Sequence, residues 1–305
     1  MRSANFGQVR RIHPVLEVVR IPSGAADLPE QMGTKAKFWF DDSRRLFKEG
    51  RPGTGENWAE VVAAELAGLL GLPHAQYSLA EYEDRRGVVT ESFVPLGARL
   101  VLGNELIGFA ARETAGWHSR REAHTIRRLG FLLNLPRIAL PIGWIAPVPS
   151  FNAADVMSGY LLLDALIGNQ DRHEENWGFI NSRGAIYLAP TFDHASSLGR
   201  NETDDRRRQK LEANHPDHGI YGYARRAKAP IYDGTDALRP SEAFFALARL
   251  CPNLGVHWLA KLRDIDPNSF AILLDRVPAG WITEPARRFA VQLLKVNRDR
   301  LLDES

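Results

Sequence analysis

The chain of 305 residues is long enough for one large domain or for two lobes that share a cleft. Its 39 basic and 37 acidic residues give a formal net charge of +2, which is too balanced for general nucleic-acid binding. Cys251 is the only cysteine, which excludes an intrachain disulfide and a cysteine-based zinc site. No apolar run approaches a membrane-spanning length, so we expect a soluble, cytoplasmic protein.

The first part of the chain, residues 1–95, predicts a small lobe that is rich in β-strands and contains one helix. Its strand-forming residues occupy 15–21, 35–40 and 45–48, followed by a hairpin over 76–82 and 87–94. The β-branched and aromatic content of these runs separates them from the helical pattern between them.

A turn rich in glycine and proline precedes the second strand and ends in Gly33, Thr34 and Lys35. A glycine at such a place allows backbone N–H groups to approach an anion closely. The three residues are therefore a candidate phosphate contact, and an ordinary turn is the alternative.

The helix of this lobe is predicted over 57–70, with an apolar stripe along one face and Gly71 after its end. Lys48 lies on the strand before it, and Glu60 and Glu65 are the acids on the helix that are able to approach this lysine. A surface lysine beside a solvated helix face is the alternative.

The rest of the chain, residues 96–305, predicts a larger and mostly helical lobe. Helices are expected over 120–133 and 156–167, and the second is apolar on nearly all sides, as expected for the centre of such a lobe. Asn152 and Asp155 have the spacing of a capping pair for this second helix. The last quarter of the chain predicts four further helices.

A polar loop, residues 169–176, directly follows the apolar helix. Within it, Asp171 and Asn176 stand five positions apart, which is the D-x-x-x-x-N spacing of a kinase catalytic loop. His173 lies between them, and no cysteine or second histidine at helical spacing accompanies it. We therefore interpret His173 as a residue that braces the loop and not as a zinc ligand.

Two short strands, 177–180 and 185–188, lead from the loop to the segment 190–197, which contains Asp193. Asp193 stands where a second metal-binding acid follows the catalytic loop in kinases. In phosphoryl transfer one carboxylate takes the proton of the attacking hydroxyl, while an amide oxygen and a second carboxylate hold magnesium against the nucleotide phosphates. The pattern therefore predicts an ATP-dependent kinase, and a chance cluster of acids and amides is the alternative.

The same interpretation gives roles to residues of the strand-rich lobe. A strand lysine paired with a helix glutamate orients the α- and β-phosphates in kinases, which fits Lys48 and Glu60. The end of the last strand, at Glu91, Ser92 and Phe93, lies where the chain of a two-lobed kinase passes the adenine and offers it backbone groups. A simple strand end is the alternative there.

Residues 199–240 are polar and predict loop structure, with arginines clustered at 206–208 and 225–226. A solvated loop is the favoured interpretation, and a patch that contacts a protein substrate is the alternative. A nucleic-acid-binding protein that uses these arginines is a further alternative, and it predicts strongly salt-dependent DNA binding.

These motifs together resemble the HipA-like serine/threonine kinases, which are related at the level of the fold to the phosphatidylinositol 3- and 4-kinases. The resemblance covers about residues 30–200. It is carried by Gly33-Thr34-Lys35, Phe47-Lys48, Glu60 ahead of 66–73, Glu91-Ser92-Phe93, the loop 169–176, and Leu188-Ala189-Pro190-Thr191-Phe192-Asp193.

The resemblance implies an α+β, two-lobed kinase fold and the use of ATP and Mg²⁺. It places Lys48 on the ATP phosphates, Asp171 as the catalytic base, and Asn176 and Asp193 on magnesium. It also favours Glu60 over Glu65 as the partner of the lysine, and it places the backbone of 91–93 at the adenine.

The chain is similar to the short members of this family, without the additional N-terminal subdomain of full-length HipA toxins. The family implies a protein substrate and an antitoxin-type partner. Arg172 and Trp177 also match the D-R-x-x-x-N-W loop of phosphatidylinositol 4-kinases, which keeps a lipid or other small-molecule acceptor open. A non-catalytic ATP-binding module is the third alternative.

Overall fold

The computed structural model describes residues 14–26, 28–29, 36–106, 124–250 and 254–304. Within these ranges the chain forms one lobe built on a β-sheet and a second lobe built mainly on helices. The predicted α+β, two-lobed architecture is therefore confirmed. Three predicted phosphate-contact residues, Gly33, Thr34 and Lys35, lie outside the described ranges.

The first lobe is organised around a six-stranded sheet with the order β1-β5-β6-β4-β3-β2. Only the pair β1 and β5 among these described strands is parallel. The central strand β4 carries Lys48, which is paired with Lys37 on one side and Val88 on the other. The strands are β1 (Val18–Ile21), β2 (Leu28–Pro29), β3 (Lys37–Phe40), β4 (Arg45–Glu49), β5 (Tyr77–Tyr82) and β6 (Arg85–Glu91).

Gly87 allows β6 to lie close to the strand that carries Lys48. A Cβ atom at this position would stand 2.3 Å from the carbonyl oxygen of Lys48, which is closer than any side chain tolerates. The glycine therefore sets the backbone spacing beside the candidate phosphate-binding lysine.

Helix α1 (Glu56–Leu70) packs on this sheet and also contacts helices of the second lobe. Apart from Leu69, which is exposed, its large apolar side chains are almost completely buried, and it ends at Gly71, whose φ of +76° is the left-handed conformation of a helix C-cap. Because one face of α1 meets the sheet and another meets the helical lobe, the helix fixes the position of the two lobes relative to each other.

The helical lobe surrounds helix α3, in which every residue is buried. Its described helices are α2 (Ile126–Leu133), α3 (Ala153–Ile167), α4 (Asp204–Glu212), α5 (Ile220–Arg226), α6 (Pro240–Leu250), α7 (Leu254–Asp264), α8 (Asn268–Asp275) and α9 (Glu284–Asp303). The predicted capping pair of α3 is confirmed: Asn152 Oδ1 accepts a hydrogen bond from the amide of Ala154, and Asp155 Oδ2 accepts one from the amide of Asn152.

A second sheet of four strands carries the predicted hairpin that follows the polar loop. Its strands are β7 (Arg99–Leu102), β8 (Ile138–Ala139), β9 (Gly178–Ser182) and β10 (Ala185–Leu188), in the order β7-β9-β10-β8. The antiparallel pair β9 and β10 confirms the predicted hairpin and leads the chain to Asp193.

The prediction of loop structure over 199–240 is wrong, because this segment contains α4, α5 and a small hairpin. The sequence of helix α4 shows no apolar residues at helical spacing, because Arg207 is the only residue of that helix that is buried. Local polar contacts form it instead: Thr203 Oγ1 accepts from the amide of Arg206, and Arg207 and Arg208 pair with acids three residues earlier.

One hydrophobic core runs through both lobes. It includes Leu66 of α1 and Leu79 of β5 together with Tyr160 of α3 and Trp258 of α7. The opposite face of the six-stranded sheet has its own aromatic cluster, which includes Phe38, Phe47 and Tyr82. None of the described helices has both the length and the apolar character that a membrane crossing requires.

Candidate active site

The polar loop 169–176 begins where α3 ends at Gly168, whose φ is +65°. Asn169 fixes the start of the loop because its amide nitrogen Nδ2 donates to Asp164 Oδ1 at 2.8 Å. Its amide oxygen accepts a hydrogen bond from the backbone N–H of Asp171 at 3.1 Å. The loop is therefore anchored to α3 at the residue that precedes the candidate base by two positions.

Asp171 and Asn176 face each other across the loop. The Nδ2 atom of Asn176 donates to the backbone carbonyl of Asp171 at 2.6 Å, which directs the amide oxygen of Asn176 away from that carbonyl. The carboxylate of Asp171 is 48% exposed, and its Oδ1 atom lies 3.7 Å from Nε2 of His173. His173 Nδ1 in turn accepts from the amide of Glu175 at 3.1 Å, which agrees with a bracing role for this histidine.

A buried arginine, Arg172, connects the loop to its surroundings. Its guanidinium makes two hydrogen bonds to the carboxylate of Asp164 on α3, at 2.7 Å and 2.8 Å. The same group donates to the backbone carbonyl of Asn176 at 2.5 Å and to Thr191 Oγ1 at 3.0 Å. Burial disfavours the charge, but Asp164 more than compensates and raises the pKa of Arg172 above its usual value.

Asp193 has a φ of +56°, a left-handed conformation that few residues other than glycine adopt. The hydroxyl of Tyr77 on β5 accepts a hydrogen bond from the backbone N–H of Asp193 at 3.4 Å. Burial raises the pKa of Tyr77 well above its usual value, and the carboxylates of Glu60 and Asp193 add to this effect. The tyrosine hydroxyl therefore stays protonated and neutral beside the acid.

Lys48 meets this acid from the sheet, since its Nζ atom lies 2.6 Å from Asp193 Oδ1. Burial lowers the pKa of Lys48, but the carboxylates of Asp193 and Glu60 raise it by more, so the net shift is upward. The ammonium group is therefore charged at neutral pH, and it stands beside the acid that we predict to bind metal.

Glu60 acts on the backbone that follows Asp193. Its two carboxylate oxygens accept hydrogen bonds from the amides of His194 at 2.7 Å and Ala195 at 3.1 Å, and its side chain is buried. Glu60 thus influences Lys48 through its charge, whereas the direct ion pair of Lys48 is with Asp193. Glu65 points elsewhere and pairs with Arg276 at 2.5 Å.

The predicted adenine segment lies at the end of β6. Glu91 is paired with Arg45 of β4, and the amide of Ser92 donates to the carbonyl of Arg44 at 2.8 Å. The ring of Phe93 stacks on Phe192, with ring centroids 5.5 Å apart and an angle of 27° between the planes. The segment is therefore in contact with the residue that immediately precedes Asp193.

The structure brings most of the predicted site residues into one connected set. Lys48, Glu60 and Phe93 from the sheet lobe all reach the segment around Asp193, and Arg172 joins that segment to the loop of Asp171 and Asn176. Asp171 and Asn176 are linked by their own hydrogen bond.

Five further residues contact this set and are not among the predicted site residues: Tyr77, Asp164 and Arg172, described above, Ser196, which donates to Asp171, and Arg200, which donates to Ser196. Asp164 carried a usable signal, since an acid inside an apolar helix needs a cationic partner. Ser196 carried none, because its contact with Asp171 depends on how the chain returns after the hairpin.

The donor types at this place fit a magnesium ion. Mg²⁺ prefers oxygen ligands and is usually held by one or two protein groups together with substrate phosphates and waters. The amide oxygen of Asn176 and the carboxylate of Asp193, which is 34% exposed, are donors of this kind. No cluster of three or more His, Cys, Asp or Glu side chains suited to a metal occurs in the described part of the chain.

No protein-family model and no curated protein matches the chain by sequence. Solved structures do match it. The chain is similar to the proinflammatory kinase CtkA of Helicobacter pylori, with a TM-score of 0.69 and 18% identity over 94% of this chain and 96% of CtkA.

It is also similar to HipA of Shewanella oneidensis MR-1, solved as a toxin–antitoxin complex with HipB and operator DNA. That match has a TM-score of 0.58 and 15% identity over 93% of this chain and 69% of HipA. At these identities the likeness concerns the fold. The chain therefore has the fold of the HipA-like kinases, as its motifs predict.

Proposed function

We propose that this protein is a kinase that uses ATP and magnesium to phosphorylate a serine or threonine hydroxyl of a protein. The observation that carries the proposal is the ion pair between Lys48 and Asp193, which stands beside the loop of Asp171 and Asn176. Arg172 connects the two segments, because its guanidinium donates to the backbone carbonyls of both Asn176 and Phe192.

In the proposed reaction, the acceptor oxygen bonds to the γ-phosphorus of ATP while the bond from that phosphorus to the β,γ-bridging oxygen breaks and ADP leaves. Asp171 takes the proton of the attacking hydroxyl. Lys48 binds the phosphates with its charged ammonium group, and Phe93 with its neighbouring backbone faces the adenine. Asn176 and Asp193 would hold magnesium, which neutralises charge on the phosphates when bound.

The experiment that tests this proposal is phosphate transfer from γ-labelled ATP to the protein itself or to proteins of a cell extract. We expect Asp171→Asn to lower the transfer rate by roughly 10²–10⁴-fold, the usual contribution of a general base. Asp205→Asn is the matched control, because this acid is 87% exposed on α4 and should leave the rate unchanged. Equal rates for wild type and Asp171→Asn would contradict the proposal.

A small-molecule or lipid acceptor is separated from a protein acceptor by an acceptor screen with the same labelled ATP. The likeness of Arg172 and Trp177 to lipid kinases does not decide between them. Arg172 is buried and bonded to Asp164 and Asn176, so it shapes the loop and has no exposed group for an acceptor. Stabilisation by ATP and magnesium without transfer to any acceptor would indicate a non-catalytic nucleotide-binding module.

The HipA structure contains the protein HipB, and we propose an antitoxin-type protein as a candidate partner of this chain alongside its protein substrate. Affinity purification of the Asp171→Asn protein from cytoplasmic extract of its own cells tests both. A small protein retained in stoichiometric amount supports an antitoxin-type partner, and recovery of the bait alone contradicts it.

A further inference from the structure

The hydroxyl of Ser196 touches the candidate base. Ser196 Oγ lies 3.1 Å from Oδ2 of Asp171, and Nη2 of Arg200 lies 3.0 Å from the same Oγ atom. An arginine side chain only donates hydrogen bonds, so the serine oxygen accepts from Arg200. The serine hydrogen is then directed to the carboxylate of Asp171, which gives the chain of hydrogen bonds one direction.

Arg200 is itself held by the first turn of α1. Its Nη1 atom forms an ion pair with Glu56, and its backbone carbonyl accepts from the amide of Gly55 at 2.9 Å. The side chains of Arg200 and Glu56 are only 13% and 2% exposed, so solvent screens this pair weakly. Glu56 also accepts from the amide of Arg51 at 3.1 Å, which fixes its carboxylate within the sheet lobe.

The same helix holds the other end of this segment. One turn after Glu56, the carboxylate of Glu60 binds the amides of His194 and Ala195. Helix α1 therefore contacts the chain at both ends of the stretch 193–200, next to the candidate metal-binding acid at one end and next to the contact with the base at the other.

We propose that Ser196 and Arg200 are positioning residues that orient the carboxylate of Asp171 and couple it to Glu56 at the start of α1. This inference rests on the proposed kinase function, because it assigns Asp171 as the base. Ser196 holds Oδ2, and the acceptor hydroxyl would approach Oδ1, which lies 3.7 Å from Nε2 of His173. A shift of the first turn of α1 then removes the support of the base, although no residue of that turn touches the substrate.

The kinetic test uses Ser196→Ala, which removes the hydroxyl, and Ser196→Thr, which keeps it. We expect Ser196→Ala to lower kcat roughly tenfold, as for a lost hydrogen bond to a charged group, with the KM for ATP unchanged. Ser196→Thr should restore most of kcat. Ser158→Ala is the matched control, because this serine of α3 is buried and its hydroxyl has no hydrogen-bond partner among the described residues. Equal kcat for wild type and Ser196→Ala would overturn the proposal.

The coupling to α1 is tested by a double-mutant cycle of Glu56→Gln and Ser196→Ala. Glu56→Gln should lower kcat when Ser196 is present and add little in the Ser196→Ala background, whereas independent effects would overturn the coupling. Arg200→Gln replaces Glu56→Gln in the cycle if the latter protein does not fold. Phosphate mapped on Ser196 itself would also overturn the positioning role, because the residue would then be an acceptor.

The same cycle measured in urea unfolding needs no activity. Non-additive free energies of unfolding support the chain of contacts from Glu56 to Ser196, and additive values overturn it. A wild-type protein that transfers no phosphate but shows this coupling contradicts the proposed function, whereas an active protein without the coupling contradicts only the present inference.

Discussion

At the scale of single residues, the buried pair of Asp164 and Arg172 decides the shape of the site. Both side chains are almost fully buried, with 2% and 1% exposure, so each has lost its hydration. The arginine compensates by donating to Asp164, to the carbonyl of Asn176 and to Thr191 at the same time. Such a pair adds little net stability, but removing one partner leaves an isolated buried charge, which is costly.

We therefore predict that Arg172→Met lowers the free energy of unfolding by about 3–5 kcal/mol. The double variant Asp164→Asn/Arg172→Met should recover part of this loss, since it removes the isolated charge. Arg208→Gln, which breaks an exposed pair with Asp205, should cost less than about 1 kcal/mol and serves as the control. Urea unfolding checks the three values, and equal costs for Arg172→Met and Arg208→Gln would contradict this explanation.

The residues that could be predicted from the sequence are those whose relation is local. Asp171 and Asn176 lie in one loop, and their five-residue spacing is visible in the chain itself. The preference for Glu60 over Glu65 rests on the family resemblance, and the sequence does not reveal the direct pair of Lys48 with Asp193. That contact joins residues 145 positions apart, and the pair of Arg200 with Glu56 joins residues 144 apart, so only the packed fold reveals them.

At the scale of elements, the sequence indicates those with an apolar face or a long apolar run, and it does not indicate a helix such as α4, which is formed by polar contacts. Helix α3 combines a long apolar run with the capping pair of Asn152 and Asp155, whereas α4 is capped by Thr203 but has no apolar face. The predicted helix over 120–133 begins at Ile126 in the structure, after Thr125, whose hydroxyl accepts from the amide of Arg128; its predicted first residues at 120–123 lie outside the described ranges. Capping contacts therefore set the ends of these helices.

The cap of α3 leads to a prediction at this scale. Asn152→Ala removes the side-chain acceptor from the amides of Ala154 and Asp155, and it should lower the free energy of unfolding by about 0.5–2 kcal/mol. The matched control is Asn201→Ala at an exposed turn position, with an expected change within about 0.5 kcal/mol. Urea unfolding followed by circular dichroism measures both, and a cap variant as stable as the control would contradict the assigned role of Asn152.

At the scale of the whole molecule, the shared core explains how the sheet lobe supports a site in the helical lobe. Helix α1 buries Leu66 against residues of both lobes, and its acids Glu56 and Glu60 bind backbone or side chains near the candidate site. The lobe boundary that we propose near residue 95 divides the chain into two parts, but the hydrophobic core is continuous across it. Movement between the lobes would therefore act on Asp193 and on Asp171 through the same helix.

Three histidines make the stability of this folded molecule depend on pH. Burial lowers the pKa of His124, whose ring stacks on Trp177 and accepts from its indole N–H at 3.0 Å. Burial likewise lowers the pKa of His74. At His257, burial and the positive charge of the nearby Lys261 both lower the pKa. In each case the folded protein favours the neutral ring.

The sign of the effect follows from these shifts. Below the ordinary histidine pKa of 6.5, the unfolded chain takes up a proton that the folded protein does not bind, so the free energy of unfolding falls as the pH decreases. For the buried His124 the fall amounts to at most about 1.4 kcal/mol per pH unit and stops once the folded ring is protonated as well. We expect the free energy of unfolding of His124→Gln, which cannot bind the proton, to fall less steeply than that of the wild type as the pH decreases below 6.5. Urea unfolding at several pH values measures both slopes. An unchanged slope in His124→Gln would show that the ring of His124 does not hold the proposed neutral state.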